Sequence, residues 1–223
     1  MKKNLAVVLF LVMCLLLTAC GGGEVAQNQE VAQPENELSL GRIEGGIYTN
    51  TYAGFSCELD SNWTFLSAKE LDQIPSAVSD VLSGSELGDA LADVQQFTDM
   101  MAENINALTS INVLYQKLGL QERLAYAMLP ETQVVDSVLE QSNMMIESYA
   151  LAGISVISME KVSVNFAGRE RFALHTTATI QNTPYYILQF FDFNLGEYGI
   201  TTTLASYVED NTENLLALFN SVE

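Results

Sequence analysis

The sequence predicts one α+β domain, an α-β-α sandwich around a central, mainly antiparallel sheet of about six strands. Strand-like alternation begins the folded part, helical spacing fills the middle, and four long strand patterns joined by turn signals crowd the last third. Those late strands are apolar on both faces, so helices are expected on both sides of the sheet. A chain of 223 residues holds one sizeable core and not two.

The amino terminus reads as an address. Lys2 and Lys3 precede an uncharged apolar run from Leu5 to Leu17, the pattern of an export signal. A membrane-spanning helix needs about 20 apolar residues, so the run is too short to serve as one. Leu17-Thr18-Ala19-Cys20 follows, then three glycines. This segment resembles the lipobox of bacterial lipoproteins. The resemblance implies cleavage before Cys20 and a diacylglycerol on its sulfur, so residues 1–19 are read as a lipoprotein signal peptide. Cleavage removes two of the nine basic residues and none of the 28 acidic ones, taking the net charge from −19 to −21. Residues 20–44 are read as the lipidated cysteine and a flexible acidic tether, poor in large apolar side chains. As a coil of about 20 residues it reaches on the order of 25 Å. Residues 45–223 form the expected domain.

Within the domain, Phe55, Cys57 and Leu59 share one side of a strand, followed by an Asp-Ser-Asn turn and Trp63-Thr64-Phe65, with Trp63 as a core or turn anchor. Ser67 and Glu70 make a capping box that opens a helix carrying Leu71, Ile74, Val78 and Leu82. Ser83 and Glu86 repeat it, and Leu87, Leu91, Val94, Met101 and Ile105 continue at helical spacing. Asp80, Asp89, Asp93, Asp99 and Glu103 lie on the opposite side. Ile111, Val113 and Tyr115 alternate as a strand, a short helix runs over 121–128, and a long one over 131–151 on Val135, Val138, Leu139, Ile146 and Tyr149. Four strands follow, at 154–166, 170–181, 184–194 and 197–206, with turns at Ala167-Gly168, Asn182-Thr183 and Leu195-Gly196. A last helix is expected over 210–222.

The segment Tyr52-x-Gly54-Phe55-Ser56-x-x-Leu59-x-x-x-Trp63, with this order of elements over 47–223, is similar to the opening strand pair and topology of the PsbP/Mog1-like family. The resemblance implies that family's α-β-α sandwich. Its members differ widely in role, so it implies no activity.

Composition excludes several functions. A net charge of −19 argues against nucleic-acid binding, which needs a basic face. The single histidine, His175, and the lack of a Cys-x-x-Cys pair leave no metal or redox framework, and no cofactor is expected. Neither a Gly-x-Ser-x-Gly elbow nor a phosphate-binding glycine loop occurs, so the chain is not expected to be an enzyme. Cys57, alone once Cys14 leaves with the signal and Cys20 is acylated, reads as a small buried hydrophobe.

Turn positions suggest a register. With turns at 182–183 and 194–197, Ala178 meets Ile187, Leu174 meets Phe191, Phe172 meets Phe193, Phe191 meets Ile200 and Ile187 meets Leu204. With a bulged turn at Gly168, Val162 meets Leu174. The same register aligns Glu160, Thr176, Gln189 and Thr202 as a polar row across four strands, a hydrogen-bonded ladder or a ligand site. On the other face His175, Asp192 and Arg171 are diagonal neighbours, the arrangement of an ion pair.

The resulting expectation is a lipoprotein of the bacterial cell envelope, extracytoplasmic and membrane-anchored through lipid on Cys20. It would act as a non-catalytic binding or interaction module with an extracytoplasmic protein partner. The second reading is a small-ligand or cation-binding lipoprotein using the polar row or the acidic helix face.

Overall fold

Alternating apolar and polar side chains build two antiparallel sheets that share one core. The computed structural model describes residues 38–74, 95–151 and 153–222. The smaller sheet contains β1 (Arg42–Glu44), β2 (Ile47–Asn50), β3 (Phe55–Glu58) and β11 (Phe219–Ser221), in that order. The larger runs β4-β5-β6-β10-β9-β8-β7, formed by β4 (Thr64–Phe65), β5 (Gln96–Asn104), β6 (Thr109–Lys117), β7 (Ile154–Phe166), β8 (Arg169–Ile180), β9 (Thr183–Asp192) and β10 (Tyr198–Tyr207). The α+β class and antiparallel pairing are as expected. The large sheet has seven strands instead of about six, and the opening strands form a sheet of their own across one of its faces. The signal segment, Cys20, the tether up to residue 37 and those parts of the two expected helices that fall on 75–94, with Asp80, Asp89 and Asp93, lie outside the described residues.

The small sheet packs Tyr48, Phe55, Cys57 and Phe219 against Phe166, Phe190, Ile200 and Leu204 of the large one. Phe55, Phe166 and Phe219 meet with centroids 4.7 to 5.5 Å apart. Burial pushes the Cys57 thiol up to about 12, which makes it a packing group. The hairpin from β1 to β2 turns on Gly45 and Gly46, both at positive φ. Residues 42–44, read from sequence as the end of the tether, are thus a paired strand.

The opposite face of the large sheet carries helices α1 (Leu120–Met128), α2 (Glu131–Met144) and α3 (Ile146–Leu151). Val134, Val135 and Val138 of α2 pack on Leu174, Phe191 and Phe193. The expected single helix over 131–151 is interrupted at Met145. Ser142 Oγ donates back to the Val138 carbonyl at 2.7 Å, and Met145 N–H closes a tighter turn onto Ser142. Among the described residues, 68–74 are helical, and Ser67 N–H donates to Glu70 Oε2 at 2.8 Å as the capping box requires.

Two segments read as helical are strands. Met101 lies in β5, paired along its length with β6, and Ile105 follows in the turn; ladder pairing overrides a helical spacing shared by few residues. The closing helix stops at Leu216, as α4 (Thr212–Leu216), because β3 offers an open edge. Phe219 pairs with Cys57, and Glu58 N–H donates to the Leu218 carbonyl.

Pairing of β5 with β6 shifts between Thr98 and Met100, so Asp99 is the extra residue of a bulge. Its Oδ2 accepts the Tyr48 hydroxyl at 2.6 Å and Gly41 N–H at 2.9 Å. Asn50 Nδ2 donates to the hydroxyls of both Tyr48 and Tyr115, and Tyr115 donates to the Ser39 carbonyl. This clamp fastens the incoming chain to both sheets. Burial pushes the Asp99 carboxyl above the usual carboxylate range, while the bonds from Tyr48 and Gly41 pull it down. A side chain at Gly41 does not fit, since a Cβ there would run into the Tyr48 ring.

Tyr48→Phe is expected to cost about 1–3 kcal/mol in urea unfolding, by stripping a buried carboxylate of a donor. The pH dependence has a definite sign. A carboxyl raised in the folded state contributes stability that is full below the ordinary carboxylate range and lost as pH rises through the raised value. Without the Tyr48 donor Asp99 rises further, so the loss extends to higher pH in Tyr48→Phe, which carboxyl NMR titration checks. Gly41→Ala is expected to expel residues 39–41 from the clamp, read as earlier cleavage there in limited proteolysis.

Candidate functional site

Beyond the two-residue turn at Gln181-Asn182, β8 and β9 pair from Ile180 opposite Thr183 to Leu174 opposite Gln189. Among the described residues the pairing ends there. β8 continues to Arg169 against β7, and β9 to Asp192 against β10. Each strand keeps its outer neighbour and parts from its inner one. The sheet forks.

Glu131, the first residue of α2, enters the fork. Its Oε2 accepts Phe172 N–H at 3.3 Å, and its Oε1 accepts from Arg171 Nε. Arg171 Nη2 reaches across to Asp192 Oδ1 at 2.9 Å. The guanidinium lies 5.9 and 5.7 Å from the ring centroids of Phe166 and Phe190. Only 10% of the Arg171 side chain is exposed. Burial opposes its charge, but Asp192 and Glu131 more than offset that and hold its proton more tightly than usual. Burial likewise pushes the Asp192 carboxyl up, and Arg171 draws it partly back.

A cavity of about 450 Å³ opens at the fork. Residues 169–171 form one wall and residues 191–195 the other, with Tyr126, Leu129 and Val134 overhead and Ala53 beside them. The overhanging helix α1 has no buried residue. It meets the core through Tyr126, whose ring is 4.9 Å from that of Phe193, and the chain just beyond it adds Leu129. Arg171 is shared between Glu131 and Asp192, leaving an excess of negative charge, while Arg169, Glu170 and Asn194 stand at the exposed rim. The arrangement offers main chain, aromatic surface and fixed charge: equipment for recognition.

The expected polar row does not form, and the turns explain why. Gln181 and Asn182 both take positive φ, so the β8–β9 turn uses 181–182 and partners shift by two residues, bringing Leu174 opposite Gln189. Ala167 and Gly168 make a plain two-residue turn without the expected bulge, placing Glu160 opposite His175. Ile200 pairs with Asp192, a one-residue slip that turns Thr202 to the other face and brings Thr203 beside Gln189. Thr176 and Gln189 therefore lie buried on the helix face, with Gln189 Nε2 donating to Thr203 Oγ1 at 3.3 Å. Thr202 and Glu160 belong to the opposite face, and the Glu160 side chain is 65% exposed. Asn112, Thr203 and Gln189 are the polar neighbours that the register brings into line.

His175 meets Asp210 at 3.0 Å and Glu160 at 3.8 Å, away from the cleft, while the Arg171–Asp192 pair forms as expected. Asp99 and Glu103, read as part of an acidic helix face, sit on β5. Among the described residues no group of three His, Cys, Asp or Glu side chains is placed to hold a metal ion. Glu131 escaped sequence reasoning because its partner lies forty positions later and no local pattern links them.

No family model matches the chain, and no curated protein matches it. Among solved structures it is similar to cyanobacterial PsbP (CyanoP) from Synechocystis sp. PCC 6803, determined in solution. The identity is 11%, over 86% of this chain and 98% of that one, with a TM-score of 0.42.

Arg171→Met leaves Glu131 and Asp192 facing each other without a cation and is expected to lose about 3–5 kcal/mol in urea unfolding. Adding Glu131→Gln and Asp192→Asn to that variant should restore most of the loss.

Proposed function

We propose that the chain is an extracytoplasmic, lipid-anchored protein whose domain binds another protein and performs no catalysis of its own. The anchor reading rests on Leu17-Thr18-Ala19-Cys20 behind a short apolar signal. Two acyl chains hold a protein at a bilayer where one does not. A body of net charge −21 after cleavage is repelled by an anionic membrane surface, so the lipid alone would hold it. Among the described residues no helix is long and apolar enough to cross a membrane.

The observation that carries the binding reading is the forked cleft. Its buried ionised groups are already bound to one another, which supports a role in holding a partner over one in moving protons. Its rim and walls combine polar and aromatic groups, the mixture that recognition surfaces use.

Mass spectrometry of the protein from native membranes is expected to show residues 1–19 removed and a diacylglycerol on Cys20, with Cys20→Ser moving the domain to the soluble fraction. An unmodified Cys20 would remove the anchor reading. Crosslinking in those membranes before solubilisation is expected to capture one stoichiometric protein, retained in high salt; recovery of the chain alone would count against a partner.

A further inference from the structure

We infer that the fork between β8 and β9 receives about three residues of an extended peptide segment from a basic protein partner. The inference rests on the binding reading above and narrows it to a place and a kind of ligand.

Successive strand side chains point to opposite faces. The walls formed by consecutive residues 169–171 of β8 and 191–192 of β9 are therefore strand edges, the second continued by the irregular residues 193–195, and the main chain fronts the space. Such edges recruit another strand, with ladder hydrogen bonds supplying affinity and side-chain pockets supplying selectivity. The inner end of the fork already shows this chemistry. Phe172 N–H, with no β9 residue paired opposite, is taken by a carboxylate oxygen of Glu131 at 3.3 Å. A peptide carbonyl is an acceptor of the same kind.

Size agrees. Strand rise, strand spacing and sheet spacing together give roughly 160 Å³ per residue in a sheet, so a cavity of about 450 Å³ takes about three. Charge selects the source. Glu131, Glu170 and Asp192 outnumber Arg169 and Arg171 around the cleft, and the whole chain carries −19. A second copy is repelled, whereas a basic partner is drawn in. The Tyr126–Phe193 pair beside the cleft provides an apolar seat for one side chain of the guest.

The test uses the full chain in detergent micelles, panned against a phage-displayed library of random heptapeptides. Enriched sequences are expected to be net basic and rich in strand formers. Their synthetic versions should shift amide NMR signals at residues 169–171 and 191–195. N-methylation at alternate positions, which removes ladder donors, should weaken binding about tenfold or more, as loss of one or two hydrogen bonds predicts. Asn194→Trp, at the exposed rim, should abolish it; shift mapping on the unaltered chain stands independently of that variant. Failure to enrich any peptide, indifference to N-methylation, or shifts confined to β7 or the small sheet would each overturn the inference. If membrane crosslinking captures a partner while these results go against the fork, the binding reading stands and only the placement falls.

Discussion

A guanidinium taken out of water has to find carboxylates, and Arg171 finds one on each side. Glu131 comes from the helix layer and Asp192 from the neighbouring strand, so a single side chain ties together α2, β8 and β9 just beyond the point where the β8–β9 ladder ends. Stacked near Phe166 and Phe190, the charge also touches the core between the sheets. Where β8 and β9 separate, hydrogen bonds of the sheet are replaced by this charged bridge. The exchange leaves two strand edges facing each other in the interior of the sheet, so the cleft follows from it. Desolvation disfavours each partner alone; only the full set makes the arrangement tenable.

Local chemistry was legible in the residues, and long-range pairing was not. The alternation around Phe55, Cys57 and Leu59 marked β3, the Ser67–Glu70 box marked a helix start, and four late strand patterns marked four strands. Each depends on neighbours within a few positions. Register depends on which two residues occupy a turn. Reading 182–183 instead of 181–182, and a bulge at Gly168 instead of a tight turn, was enough to break up the row of Glu160, Thr176, Gln189 and Thr202. Matching apolar side chains did not arbitrate, because these strands are apolar on both faces and several registers satisfy that criterion. Met101 and Phe219 illustrate the other difficulty. Each sits in a stretch compatible with a helix, and each became strand because another strand offered its edge: β6 of the same hairpin for Met101 and the distant β3 for Phe219. The site was half visible: Arg171 and Asp192 were neighbours on paper, while Glu131, Arg169 and Asn194 needed the third dimension.

Both ends of the described chain finish in one small sheet. β1 occupies one edge and β11 the other, with β2 and β3 between them. The sheet therefore needs residues 219–221 to be complete, and its aromatic face closes on Phe166 and Phe190 only once Phe219 arrives. The Tyr48–Asp99 clamp works at the other edge, coupling the entering segment to β5 through a bulge that turns a carboxylate inward. The entering segment and the two sheets thus meet at a buried polar contact, which favours one geometry over its neighbours.

The outer strand of the large sheet, β7, is thirteen residues long and borders solvent. Its pairing with β8 shifts between Val156 and Ser158, and Ile157 at that irregularity is 66% exposed. Farther along, Lys161 folds back to Asp136 and Thr132 of α2. A flat, unbroken border of this length would be an adhesive rim. The irregularity at Ile157 divides this edge, and Lys161 places a charge within the longer part, so an incoming strand meets two shorter edges in place of one of thirteen residues.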